Sequence, residues 1–293
     1  MSSCLPYLIN GVSYGDPEKR RRQEFAADRI EALRGDILLP INFCAPDENI
    51  YRPDWINEST LRLVSFPETH SKRLPLARDL FDQASAVAQI YNSEWFAVAN
   101  DDIVITEKWI GKIQKAVQGD EEVLIFPRTN IDRDQEGQLT LNPAFYHQGQ
   151  DLYVCRVAAW ERIRTLFQSY FFGEAYWDNV FTSLFLTHAK GLLVMDELGL
   201  CLHERHPKSW GNSPFYHRNR LLASGPDMIA SLRWKYFHHG WMLRREERGR
   251  LLNELENRQL IREVFIPPLE EEIEFANKMN LRASRMGLIE LGI

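Results

Sequence analysis

Cysteine is scarce and scattered: Cys4, Cys44, Cys155 and Cys201 are the four in 293 residues, and no two form a CxxC pair. That spacing argues against a zinc site or a disulfide framework and fits a reducing cytoplasm. Long apolar runs are missing as well. The greasiest stretch, 191–202, is broken by Asp196 and Glu197, and nothing approaches the roughly twenty residues that cross a bilayer. The expectation is a soluble protein, peripheral to a membrane at most. Met1 to Asn10 lacks a cationic start, a continuous apolar stretch and a small-residue cleavage site, which disfavours a signal peptide. There is no basic excess: the formal net charge is -6 and the pI about 5.8, so no global positive field is available to hold a nucleic-acid backbone. The absence of a Walker-type P-loop and of a GxSxG elbow disfavours an ATPase or an α/β-hydrolase. No internal repeat or low-complexity tract is present.

What is present is an α/β pattern rich in aromatics, with Phe, Trp and Tyr making up 12% of residues. Such a share suits a filled core or a site that stacks sugar or base rings. Short apolar runs alternate with helical periodicity, the mark of a largely parallel sheet. Tyr7–Val12, Ile37–Phe43 and Leu61–Phe66 read as the first three strands, and Pro17–Leu33 as a helix. In 74–91 the positions Leu76, Leu80, Ala84, Val87, Ala88 and Tyr91 recur every three or four residues, so one helical face packs on the sheet. The next run, Trp95-Phe96-Ala97-Val98-Ala99, is apolar on both faces, as a central strand is, and it ends abruptly in Asn100-Asp101-Asp102. Open α/β sheets bind ligands at such carboxyl ends. Val123–Phe126 predicts another strand, and the polar stretch 128–149 a functional or mobile loop. The segment 151–157, a helix from Asp178 to Ala189 and a strand Leu192–Met195 complete a main domain over 1–212. Residues 213–293 read as a mostly helical extension, rich in Arg and aromatics and then charge-laced.

Several groups carry candidate chemistry. Asn100, Asp101 and Asp102 sit where a strand becomes a loop, so their oxygens can converge on a hard cation that grips a diphosphate; a helix-cap or turn role is the alternative. Asp178 opens a helix, either as a reactive carboxylate or as a cap. His203 and His206, in Leu202-His203-Glu204-Arg205-His206, follow a predicted strand and serve as ligands or as ordinary core and surface residues. Their spacing is not the HExxH of zinc peptidases. Lys72 and Arg73 precede the sheet-packing helix, where cations can neutralise a phosphate or simply be solvated. The C-terminal Trp234, Tyr236, Phe237 and Trp241, beside Arg233, Arg244 and Arg245, suit packing on the main domain, an acceptor platform or a membrane-surface patch.

The run Ser93 to Ile110, with its strand, acidic turn and following Trp109, resembles nucleotide-sugar glycosyltransferases of the GT-A fold, in a family 2-like group with a Trp-Asp-Asn acceptor-side motif. Their motif is usually Asp-x-Asp; here Asn100 takes the first place, leaving Asp102 as the stronger metal candidate. The stretch from Gly149 to Cys155, Trp160, and Phe172 to Asn179 looks like the acceptor-side segment of the same enzymes. The resemblance spans roughly residues 1–212 and lies in the order of three segments. It implies a Rossmann-like, mixed but mainly parallel sheet flanked by helices, and transfer of a sugar from a nucleoside diphosphate sugar to an acceptor hydroxyl. It further implies Mg or Mn held by Asp102 with His203 or His206, assisted by Asn100 and Asp101. Asp178 is then the base that takes the acceptor proton, as in inverting members. Lys72, Arg73 and Arg78 fall on the diphosphate side, and Asn10 and Tyr14 where the nucleotide base is held. A sugar-nucleotide nucleotidyltransferase, against which the lack of a glycine-rich loop after the first strand counts, and a non-catalytic binding or assembly module are the other readings.

Overall fold

The computed structural model describes residues 5–10, 17–33, 35, 37–44, 57–60, 63–66, 70–195, 199–206 and 213–223. The chain opens with β1 (Leu5–Asn10), α1 (Pro17–Leu33), β2 (Leu38–Cys44) and β3 (Asn57–Thr60). The β1–β2 and β2–β3 pairs are parallel, with the α1 crossover between the first two strands. β4 (Leu63–Phe66) and β5 (His70–Pro75) then pair antiparallel in a small sheet of their own. The run read as a third parallel strand thus leaves the main sheet: its partner is the segment immediately after it, at hairpin distance.

Helix α2 (Ala77–Ile90) leads into β6 (Trp95–Ala99), which lies beside β1. β7 (Ile103–Ile105), α3 (Glu107–Ala116), β8 (Val123–Arg133) and β9 (Leu139–Arg156) follow, then α4 (Val157–Ile163), α5 (Trp177–His188), β10 (Leu192–Val194), β11 (Cys201–Glu204) and α6 (Pro214–Ala223). The main sheet runs β3-β2-β1-β6-β9-β8-β11-β7, with β10 also on β8. Pairings of β9 with β6 and β8, and of β11 with β7, are antiparallel; the rest are parallel. This is the mixed, mainly parallel sheet flanked by helices that the sequence implies.

Two aromatic cores clamp the sheet. On one face α2 presents Ala77, Leu80, Phe81, Ala84 and Ala88, all buried, at the spacing of a single helical stripe. Phe81 packs against Phe96, Tyr153, Trp160 and Phe181 with ring centroids 5.0–6.1 Å apart, edge and tilted contacts that favour fixed orientations. On the other face Trp109 of α3 meets Tyr7 and Phe126, each at 5.7 Å. Thr106 starts α3 by accepting the Trp109 amide, which aligns that Trp with the core.

The predicted loop 128–149 is mostly strand. β8 continues to Arg133, β9 begins at Leu139, and Asp132↔Thr140 and Arg133↔Leu139 are paired. Asp134 Oδ1 accepts the amides of Glu136 and Gln138, and Gly137 supplies a φ of +83°, so the turn has the side-chain and glycine chemistry of a tight connection. Polar side chains along these arms hide the strand, since its pattern lacks a clean apolar face.

The sheet end is tied to α1 by Glu204 of β11. Its carboxylate takes Arg21 of α1 and Arg133 of β8, the latter at 3.1 Å. Burial opposes the charge, but the two guanidiniums prevail and hold the Glu204 carboxyl at about 2 against an ordinary 4.5. Because the folded-state value is depressed, this stabilisation is full above about pH 4.5 and is lost as pH falls towards about 2. Glu204→Gln is expected to cost about 2–3 kcal/mol at pH 7, with a smaller deficit near pH 3; urea unfolding at the two pH values measures both.

The expected boundary at 212/213 falls just before α6, and this helix packs on the main body. Phe215 is buried against Leu74 and Phe171, and the Asn219 amide bonds the Phe171 backbone N–H and C=O and the Ala175 carbonyl. Residues 224–293, including Trp234, Tyr236, Phe237 and Trp241, lie outside the described residues.

Candidate active site

The acidic turn follows directly on the last β6 residue, Ala99. The Asn100 amide still donates to the Asp151 carbonyl (2.9 Å), and the Ile103 amide closes the turn onto Asn100 O (3.3 Å). The chain then enters β7, whose antiparallel partner is β11 with Ile103 opposite His203. That register carries His203 to the acid beside Ile103. Asp102 Oδ2 lies 3.3 Å from His203 Nε2 and 3.3 Å from His206 Nε2. Among the described residues, the ligand atoms of Asp102, His203 and His206 lie within 4.8 Å of one another. The buried His203 Nδ1 has no hydrogen-bond partner among them.

The adjacent acids diverge. Burial raises both carboxyls, but His203, His206 and Arg128 outweigh it at Asp102, which ends well below the ordinary carboxylate range. Asp101 turns the other way, towards α1, with Lys19 Nζ at 3.5 Å and a hydrogen bond from Gln23. Burial is the largest influence there; Lys19 opposes it, the Asp102 charge adds to it, and the carboxyl is raised. Asn100 turns to β9 and donates Nδ2 to Asp151 Oδ1 at 2.5 Å. Of the three sequence candidates in the turn, Asp102 alone joins the histidine cluster.

Asp178 occupies the first turn of α5 and is not its N-cap. The cap is Tyr176, in the left-handed region at φ +82° with no side-chain cap bond, a costly conformation for a non-glycine residue. Asp178 Oδ2 accepts the Gln150 amide at 3.3 Å, while Tyr153 hydroxyl bonds the Asp178 carbonyl at 3.0 Å. Burial first and the nearby Asp151 charge second push the Asp178 carboxyl to about 7, against backbone donors that pull it down. Raised from 3.8, it binds its proton more tightly folded than unfolded. It therefore subtracts stability as pH rises from about 4 to about 7.

Two residues of this network escape the sequence reading. Asp151 of β9 bonds Asn100 and pairs with Arg128 Nη1 at 2.9 Å, and its charge reaches Asp178. One connected network thus runs from the acidic turn through Asp151 and the adjoining Gln150 amide to the start of α5. Treating 128–149 as a loop concealed Arg128, and Asp151 becomes visible only once β9 is known to lie against β6.

Asn10 ends β1 one position past the Ile9–Ala99 pair, which puts its backbone beside the turn. Tyr14 lies outside the described residues. Lys72 and Arg73 belong to β5 in the small sheet, with Arg73 opposite Ser65, and so do not form a loop before α2. Arg78 on α2 lies 3.7 Å from Asp82 and 3.4 Å from the Phe167 carbonyl. Cys155 and Cys201 are buried free thiols. No helix among the described residues is long and apolar enough to cross a membrane.

No family model matches the chain, and no curated protein matches it in sequence. Solved structures do show similarity. TarS 1-349 from S. aureus in complex with UDP-GlcNAc is 10% identical with a TM-score of 0.47, over 97% of this chain and 92% of that one. A mannosyltransferase from Pyrobaculum calidifontis in complex with GDP-Man and Mn2+ is 8% identical with a TM-score of 0.41, over 96% and 75%. A 4-diphosphocytidyl-2C-methyl-D-erythritol synthase from Anaerococcus prevotii is 10% identical with a TM-score of 0.41, over 68% and 90%.

Proposed function

We propose that the chain is a cytoplasmic, divalent-metal-dependent glycosyltransferase that moves a sugar, of the hexosyl type, from a nucleoside diphosphate sugar to an acceptor hydroxyl with inversion. The observation that carries this reading is the convergence of Asp102, His203 and His206 at the end of the sheet, joined through Asn100 and Asp151 to a carboxyl at Asp178 raised to about 7. Two titratable sites with opposed shifts, one kept anionic and one able to exchange a proton near neutrality, suit a metal ligand and a general base.

One carboxylate oxygen and two imidazole nitrogens fit a divalent metal that accepts nitrogen ligands, so Mn suits this donor set better than Mg, which demands oxygen. When bound, such a metal supplies charge neutralisation for a diphosphate leaving group. Asp178 takes the proton of the acceptor hydroxyl as its oxygen bonds to the anomeric carbon. The bond from that carbon to the phosphate oxygen breaks, its electron pair leaving with the nucleoside diphosphate. The sugar passes through an oxocarbenium-like state, as in glycoside hydrolysis, and attack from the face opposite the leaving group inverts the anomer.

A screen of nucleotide sugars tests this, reading thermal stabilisation and slow donor hydrolysis with Mn and with Mg. At least one donor is expected to stabilise the protein only with metal, Mn exceeding Mg; no stabilisation by any nucleoside diphosphate sugar with either metal sinks the proposal. With Asp178 as base, kcat/KM is expected to rise about tenfold per pH unit below about 7 and level off above it. A profile flat from pH 5 to 8 removes Asp178 from that role.

A further inference from the structure

The site has a cation that the sequence candidates do not include. Arg128 lies in β8 just past Pro127, and its side chain is only 14% exposed. It stands two positions before Asn130, the residue opposite His203 in the β8–β11 pairing, and its partner Asp151 bonds Asn100 of the acidic turn, which places it near the Asp102, His203 and His206 cluster. One edge is ion-paired: Nη1 lies 2.9 Å from Asp151 Oδ2. Asp151 is itself fixed by Asn100 Nδ2 on its other oxygen and by the β6–β9 ladder. Among the described residues, Nε of Arg128 is buried and has no hydrogen-bond partner.

A guanidinium has five donors in a rigid fork suited to phosphate oxygens, and leaving one of them buried and unmet carries a desolvation cost. A mostly covered cation, ion-paired on one side and without a partner at Nε, near a metal-ligand cluster, is preorganised for an anion that bridges the two. Lys72 and Arg73, the expected phosphate partners, stand in the small β4–β5 sheet.

Resting on the transferase reading above, we infer that Arg128, aimed by Asp151, is the side chain that receives the diphosphate of the nucleotide donor. The Asn100–Asp151 bond serves this arrangement. An aspartate at position 100 would set a second carboxylate against Asp151 at hydrogen-bond distance, whereas the amide donates to it and leaves Asp151 charged for Arg128. Asp151 is thus a positioning residue and Arg128 the binding one.

Isothermal titration of UDP, GDP and CDP with Mn2+, alongside the matching monophosphates and inorganic phosphate, tests this on wild type, Arg128→Gln and Arg128→Lys. For whichever diphosphate wild type binds, Arg128→Gln is expected to weaken affinity at least about tenfold. Arg128→Lys is expected to fall between the two, with monophosphate affinity changed less than threefold. Mn2+ binding in the absence of nucleotide, read by electron paramagnetic resonance, should stay within twofold, because the three ligands are untouched. Should Arg128→Gln fail to fold through the unpaired Asp151, Arg128→Gln/Asp151→Asn removes both charges and is expected to show the same selective loss. Wild type that binds no diphosphate overturns the transferase reading. Wild type that binds one while the Gln variants match it overturns the role of Arg128 alone. Equal dependence on Arg128 for inorganic phosphate and diphosphate assigns the residue to free phosphate and overturns the inference.

Discussion

Asp178→Asn is expected to keep nucleoside diphosphate affinity within about twofold while lowering transfer about 10²- to 10⁴-fold, the range of a lost general base. The substitution retains size and an oxygen for the Gln150 amide, so the start of α5 should survive. It removes the group that accepts the proton. Because the raised carboxyl subtracts stability near neutrality, the Asn variant should unfold at an equal or slightly higher temperature than wild type at pH 8. Single-turnover transfer beside titration calorimetry separates chemistry from binding. Loss of donor binding together with folding would make Asp178 a helix-start residue and nothing more.

Asp102→Ala should abolish metal-dependent behaviour more completely than any other single change in the site. Asp102 is the oxygen ligand of the cluster, in reach of both imidazoles. Without it two neutral nitrogens remain, and Mn2+ affinity is expected to fall at least about 100-fold, exceeding the 10- to 100-fold typical of outer-shell losses. Metal-dependent donor stabilisation should vanish with it. Asp101→Ala is the informative control: Asp101 bonds Gln23 and faces Lys19 of α1, so its loss should leave Mn2+ affinity within threefold. Equal losses in the two variants, read by electron paramagnetic resonance, would overturn the distinction between them.

How much of this was visible in the sequence follows from the reach of each signal. The helix 17–33 and the strand 95–99 were readable because each carries its pattern within its own residues. The acidic turn could be placed at a sheet edge since an apolar strand must end where charge begins. Asp178 and the two histidines could be brought to one site only through the resemblance, not from their own segments. The contact of His203 with Asp102 depends on β11 folding back on β7, and the link from the turn to Asp151 on β9 pairing with β6, pairings across about 50 to 100 residues that no local window contains. The same limit explains why Asp102 could be ranked above Asp101 only through the resemblance. Only α1 packing beside the turn gives one of them to Gln23 and Lys19, and the other to the histidines. Arg128 was missed because a strand with polar residues on both faces reads like a loop, and Asp151 because its partner across the β6–β9 ladder lies about 50 residues away.

The clamp on Glu204 bears on the neighbouring residue as much as on stability. β11 is held by three residue pairs to β7 and three to β8, short ladders whose register the clamp reinforces. A slip of one position would rotate His203 to the opposite face of the sheet. Arg21 and Arg133, approaching Glu204 from a helix and from the adjoining strand, act as a pawl on that slide. The fidelity of the histidine's aim is therefore decided one residue away, by a contact that takes no part in the chemistry.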